Sequence, residues 1–120
     1  LPGAFTPTCS RAHLPGYIEH AELLHSHGVD LIACLSVNDA WVMDAWGKAH
    51  NAGDKVMMLA DGNAEFSIAV GLQSDMKGAG FGVRSLRYAM VLDDGVVTHL
   101  NVEEPRKFEV SDAQTVLGLL

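Results

Sequence analysis

The sequence predicts an α/β fold: a mixed β-sheet flanked by helices on both faces. Three observations lead there. Short apolar runs bounded by turn residues alternate with stretches whose apolar positions repeat at helical spacing. Asp94-Gly95 joins two strand-like runs, and that pair suits a tight hairpin because the turn needs positive φ. A chain of 120 residues with 48% hydrophobic content is long enough to bury one core. We therefore expect residues 1–120 to form a single domain.

Residues 1–8 (LPGAFTPT) hold two Pro and one Gly and read as a loop. Cys9 to Gly28 reads as helical, with an early break or kink expected at Pro15-Gly16. Ile18, Ala21, Leu24 and His25 make its apolar stripe, and Gly28 fits its stop. Asp30–Val37 is a short apolar run, as in a buried strand. Asp39 starts a helix to about His50, with Ala40, Met43, Ala45 and Trp46 among its apolar positions. Val56–Ala60 is a second buried strand, and Ala64–Val70 a short helix ended by Gly71. Gln73–Gly82 reads as loop. Ser85–Leu92 and Val96–Asn101 are the hairpin strands, and Ser111 is placed to cap a last helix.

An order of loop, helix, strand, helix, strand, helix, hairpin and helix suits a thioredoxin-like arrangement. A strand should precede the first loop in that arrangement, so we expect the N-terminal strands to be missing and the chain to be truncated there. The formal charge is −7, from 8 Lys+Arg and 15 Asp+Glu, with no basic run. That excludes nucleic acid and anionic membrane as expected partners. No apolar run approaches the roughly 20 residues of a membrane span. Two cysteines, Cys9 and Cys34, make no C-x-x-C pair and no secreted disulfide framework, so a reducing, cytoplasmic setting is expected.

The sharpest pattern is Pro2-x-x-x-Thr6-x-x-Cys9. Thr6 suits an N-cap and Pro7 the first helical position. Cys9 then lies about third in the helix, among free N–H groups at the positive end of the helix dipole. That place favours the thiolate, the nucleophilic form of cysteine. Attack by that thiolate moves negative charge onto the leaving atom. The Thr6 hydroxyl, a backbone N–H of the first turn and an arginine from elsewhere could meet it. The plain alternative is an inert, buried cysteine at a helix start.

PGAFTPTCS (Pro2–Ser10) followed by HLPGY (His13–Tyr17) resembles the type-5 peroxiredoxins, the plant type II enzymes and their bacterial relatives. CLSVND (Cys34–Asp39), WGKAH (Trp46–His50), LADGN (Leu59–Asn63), RYAMVLDDG (Arg87–Gly95) and LNVEEP (Leu100–Pro105) follow the same family in order, across essentially the whole chain. The resemblance implies a thioredoxin-like fold and a thiol peroxidase acting on hydrogen peroxide and alkyl hydroperoxides. It implies that Cys9 is the peroxidatic residue, that Thr6 hydrogen-bonds the peroxide and that Pro2 shields the sulfenate. Arg87 matches the family's arginine, with Arg84 as its rival. Thr8 and Phe81 are assigned to the peroxide-binding side of the site; for Phe81 plain core packing is the alternative. No cysteine follows Cys34, so a C-terminal resolving cysteine is ruled out. The resemblance therefore implies a one-cysteine cycle, with glutathione and glutaredoxin, or thioredoxin, as reductant. It implies no cofactor and no metal, a homodimer, and an N-terminal segment carrying a central strand.

The remaining residues take plainer readings. Cys34, in a buried strand, reads as a small hydrophobe. None of the six histidines makes a zinc spacing. His13, His20 and His27 fall at seven-residue intervals and read as a solvated stripe, although His13 is one turn from Cys9. Trp41 and Trp46 read as packing residues, with a subunit contact as the alternative. Glu103 and Glu104 read as a solvated loop. Two other readings compete with the peroxidase. A disulfide exchanger needs a second thiol two residues from the first, where position 12 is Ala. The other is a non-catalytic redox-sensing or binding module.

Overall fold

The computed structural model describes residues 1–120. A wide π-type turn, Cys9–His13, runs into helix α1 (Leu14–Glu19), followed by α2 (Ala21–Ser26). Pro15 does not break this segment. Its ring would meet the carbonyl four residues back in an α-helix, and the wider turn just before it relieves that clash. The break comes instead at His20, whose Nδ1 bonds the Gly16 carbonyl at 2.9 Å. Gly28, at φ +97°, ends α2.

Strand β1 (Ala33–Ser36), helix α3 (Ala40–Ala49) and strand β2 (Met57–Ala60) form a parallel crossover, with Cys34 opposite Met58. Asp39 caps α3 by accepting from the Val42 N–H at 2.8 Å. Helix α4 (Glu65–Ala69) follows. Strands β3 (Gln73–Asp75) and β4 (Val83–Ser85) pair antiparallel inside the stretch expected to be loop. Three-residue strands show no alternation long enough to read. β5 (Tyr88–Asp93) and β6 (Val96–Val102) form the expected hairpin, with Asp94 and Gly95 both at positive φ. Helix α5 (Ala113–Leu117) is capped by Asp112, not Ser111: Asp112 accepts from the Thr115 N–H at 3.1 Å.

The sheet is mixed, as expected, but consists of three two-stranded pieces and is not continuous. β1 and β5 do not pair. A groove lined by Ile32, Cys34, Leu35, Tyr88, Met90 and Leu92, among others, separates them. The core packs Leu14, Ala21 and Leu24 against Ile32, Cys34, Met43, Trp46 and Val56. Cys9 belongs to this core, at the end where the first loop meets β1. Of the α3 apolar positions, Met43 and Trp46 are buried while Ala40 and Ala45 are exposed. Trp41 is 85% exposed, so packing accounts for Trp46 but not for Trp41. No helix is long and apolar enough to cross a membrane.

Candidate active site

The first loop is stitched to the strand behind it. The Leu1 backbone nitrogen donates to the Leu35 carbonyl at 2.9 Å, and the Ala4 N–H donates to Asn38 Oδ1 at 3.0 Å. Asn38 Oδ1 also accepts from the buried Ser36 hydroxyl at 2.6 Å. Trp46 Nε1 donates to Ser10 Oγ at 3.0 Å, fastening α3 to the turn that carries Cys9.

The Thr6 carbonyl accepts from the Ser10 N–H at 2.9 Å, so Thr6 caps a helical start at Pro7 and Thr8, with Cys9 third from that start and first in the wide turn. The Thr6 side chain does not cap, however. Its hydroxyl donates to the Gly3 carbonyl at 2.5 Å, which leaves the oxygen's lone pairs able to accept. Leu14 N–H bonds the Cys9 carbonyl across the wide turn, and Cys9 and His13 both fall on the buried side.

Arg87 reaches this turn from the irregular step between β4 and β5. Its Nη2 donates to Cys9 Sγ at 3.3 Å, and its Nη1 lies 3.0 Å from His13 Nδ1. Arginine only donates, so Nδ1 must accept. The imidazole proton then sits on Nε2, which donates to the Ser111 carbonyl at 3.1 Å. The sulfur itself is fully enclosed, at 0% exposure, yet it touches a guanidinium. Of the two arginines weighed from sequence, Arg87 is the one on the sulfur.

His13 is buried, which corrects the solvated-stripe reading; His27 on the same spacing is exposed. Burial first, with the positive charge of Arg87 in addition, pushes its pKa down to about 3. It is neutral at physiological pH and can serve as an acceptor. Ser111 is in turn held by Glu103, which was read as solvated and is buried. The Glu103 carboxylate accepts from the N–H groups of Glu109, Val110 and Ser111 and from the Ser111 hydroxyl. Burial alone would raise its pKa, but those donors outweigh it and hold the carboxyl below its usual range. Phe108 lies against both His13, with ring centroids 5.1 Å apart, and the Arg87 guanidinium, 5.8 Å from its ring. Glu104 is exposed, as expected.

Arg84 sits elsewhere. Its Nε donates to the Phe81 carbonyl at 3.0 Å, its Nη1 to the Pro2 carbonyl at 3.3 Å, and its guanidinium covers the Phe81 ring. Thr8 is exposed, and Phe81 is 39% exposed, which excludes plain core packing. Cys34 is a free, buried thiol, and burial pushes its pKa up to about 11. Sequence reasoning missed His13, Ser111, Glu103 and Phe108 as one support for Arg87. The His13-to-Cys9 spacing was the only available signal, because Ser111 lies 98 positions from His13.

The Redoxin family pattern matches residues 1–117. The chain is 52% identical to peroxiredoxin-2B of Arabidopsis thaliana, covering all of this chain and 74% of that one. It is 52% identical to the chloroplastic peroxiredoxin-2E of Arabidopsis thaliana and 54% identical to the chloroplastic peroxiredoxin-2E-2 of Oryza sativa. It spans about half the length of those two, 52% and 55%. Among solved structures, reduced Prx3 of Vibrio vulnificus in complex with hydrogen peroxide superposes with a TM-score of 0.96 at 62% identity, covering 100% of this chain and 77% of that one. With the Redoxin pattern across nearly the whole chain and such relatives over its full length, the chain belongs to the peroxiredoxins, within the thioredoxin-like redoxin fold.

Proposed function

We propose that the chain is the catalytic domain of a thiol peroxidase that reduces hydrogen peroxide and alkyl hydroperoxides through Cys9. The observation that carries this reading is the 3.3 Å contact from Arg87 Nη2 to Cys9 Sγ at the start of a helical turn. A guanidinium there favours the thiolate, and it can follow the negative charge as it moves onto the leaving oxygen. Cys9 sulfur attacks the terminal oxygen of ROOH, an S–O bond forms and the O–O bond breaks. The leaving alkoxide takes a proton and departs as ROH, and Cys9 is left as a sulfenic acid. The lone pairs of Thr6 can accept the peroxide O–H during attack, while Pro2, Thr8 and Phe81 form the surrounding wall. The complex of the Vibrio vulnificus relative with hydrogen peroxide supports this substrate class.

Two external thiols complete the cycle. The first displaces hydroxide from the sulfenic acid, releasing water and forming a mixed disulfide; the second resolves that disulfide and restores Cys9. Cys34 takes no part, because its thiol is buried and protonated. Glutathione with glutaredoxin, or thioredoxin, suits this one-cysteine cycle. A cytoplasmic homodimer is the assembly we favour. Exposed Phe5, four residues before Cys9, and exposed Trp41 offer apolar surface for the subunit contact.

Mass spectrometry after one equivalent of hydrogen peroxide, with and without glutathione, tests the cycle. A Cys9 sulfenate that becomes a glutathione adduct is expected. A Cys9–Cys34 disulfide would overturn the one-cysteine route, and peroxide turnover by a Cys9→Ser variant would overturn the reading altogether.

A further inference from the structure

The Cys9 sulfur has no exposed surface, so a peroxide reaches it only where a neighbouring segment yields. The loop at 2–6, which leads into the Cys9 turn, is joined to the segment 76–82 by one side chain. Arg84 gives Nε to the Phe81 carbonyl and Nη1 to the Pro2 carbonyl, and its guanidinium lies 5.1 Å from the Phe81 ring centroid. The ion pairs of the structure are Lys48–Asp44 and Lys107–Glu109. Arg84 thus has no carboxylate partner, and its bonds go to backbone carbonyls on two loops far apart in sequence. Gly3 lies under it: a Cβ there would sit 2.7 Å from Arg84 Nη1 and 3.0 Å from Thr6 Cγ2. The Gly3 carbonyl is also the acceptor that fixes the Thr6 hydroxyl. Arg84, Gly3 and Thr6 are therefore packed in series, ending one turn from the sulfur.

We propose that Arg84 is a positioning residue that clamps the Pro2–Gly3 loop to the Phe81 loop, and so sets both the orientation of Thr6 and the size of hydroperoxide admitted to Cys9. This rests on the peroxidase reading of Cys9. A guanidinium is suited to the task because its fixed fork spans two carbonyls and its face covers an aromatic ring, which an ammonium cannot do together. Releasing the clamp would let the Phe81 loop move outward, which admits bulk. It would also free Thr6 to rotate, which harms the reaction of every peroxide. The two effects oppose each other for a large substrate and leave only the loss for a small one.

The test measures second-order rates of Cys9 oxidation by hydrogen peroxide and by cumene hydroperoxide in the wild type, Arg84→Gln, Arg84→Lys and Gly3→Ala. A misplacement of about 1 Å can cost on the order of a hundredfold, so a loss of roughly tenfold with hydrogen peroxide is expected for Arg84→Gln. The cumene-to-hydrogen-peroxide rate ratio should rise severalfold. Gly3→Ala, which pushes the guanidinium away, should reproduce that rise. The double variant should add little to either single one, because both break the same clamp. Arg84→Lys should restore neither the rate nor the ratio. Alkylation of Cys9 by iodoacetamide, which needs access to the enclosed thiolate but not Thr6, should quicken in Arg84→Gln. An unchanged substrate ratio in Arg84→Gln, or fully additive effects in the double variant, overturns the clamp while leaving the peroxidase reading intact. A wild-type chain that oxidises Cys9 with neither peroxide overturns both.

Discussion

His13 Nδ1 and Arg87 Nη1 lie 3.0 Å apart, and the imidazole accepts from the guanidinium. The pair works because His13 is neutral and held in one tautomer by the Ser111 carbonyl. Replacing His13 with Leu removes the acceptor and leaves Arg87 able to swing off the sulfur. Oxidation of Cys9 by peroxide should then slow by roughly ten- to a hundredfold, the scale of losing an aligned donor. Stopped-flow oxidation kinetics would show this, and an unchanged rate would mean that Phe108 alone aligns Arg87.

Arg87 makes its two bonds from two nitrogens, one to Cys9 and one to His13. A lysine has the charge but a single donor centre. Arg87→Lys should therefore lose most of the peroxide rate, on the order of a hundredfold, and Arg87→Gln at least as much. Should Arg87→Lys retain wild-type rates, charge alone would suffice and the forked geometry would be irrelevant.

The His13 pKa also makes a stability prediction. Folding lowers it from 6.5 to about 3, so between those values the unfolded chain binds the extra proton. Stability then rises with pH across that window, by at most about 1.4 kcal/mol per pH unit for one group. Glu103 is also lowered and acts in the same direction, but below its ordinary value of 4.5. Denaturant titrations between pH 4.5 and 6.5 keep clear of the lowered carboxylate, and comparison with His13→Leu gives the histidine's share of the slope. The slope in that range should flatten in His13→Leu.

Cys34→Ala should leave peroxide turnover unchanged, because a thiol with its pKa near 11 offers almost no thiolate at neutral pH. A modest loss of stability, about 1 kcal/mol, is expected from the emptied core position. A fall in turnover with no loss of thermal stability would assign Cys34 a redox role.

Asn38 Oδ1 holds both the Ala4 N–H and the buried Ser36 hydroxyl. Asn38→Ala should cost about 1–3 kcal/mol, because the Ser36 hydroxyl is left unpaired in the core. It should also slow Cys9 oxidation, since the loop carrying Thr6 loses an anchor. Thermal melting and oxidation kinetics together would separate the two effects.

The sequence by itself determined what depends on near neighbours. The N-cap place of Thr6, the third-position cysteine, the Asp39 cap, the Asp94-Gly95 turn and the βαβ crossover all rest on contacts within a few residues or on a local period. The whole pattern Pro2 to Cys9 was legible for that reason, and Arg87 was legible through the resemblance of its strand. The tertiary structure alone decided which polar side chains are buried and what they face. His13 and Glu103 looked solvated because their partners lie on distant segments: Arg87 for the histidine, and the 109–111 backbone that ties back to it. The Arg84 bridge to the Pro2 carbonyl follows the same rule, with 82 positions between its ends. The wide turn at Cys9 and the three-residue β3–β4 pair are local, but too short for a period to record them.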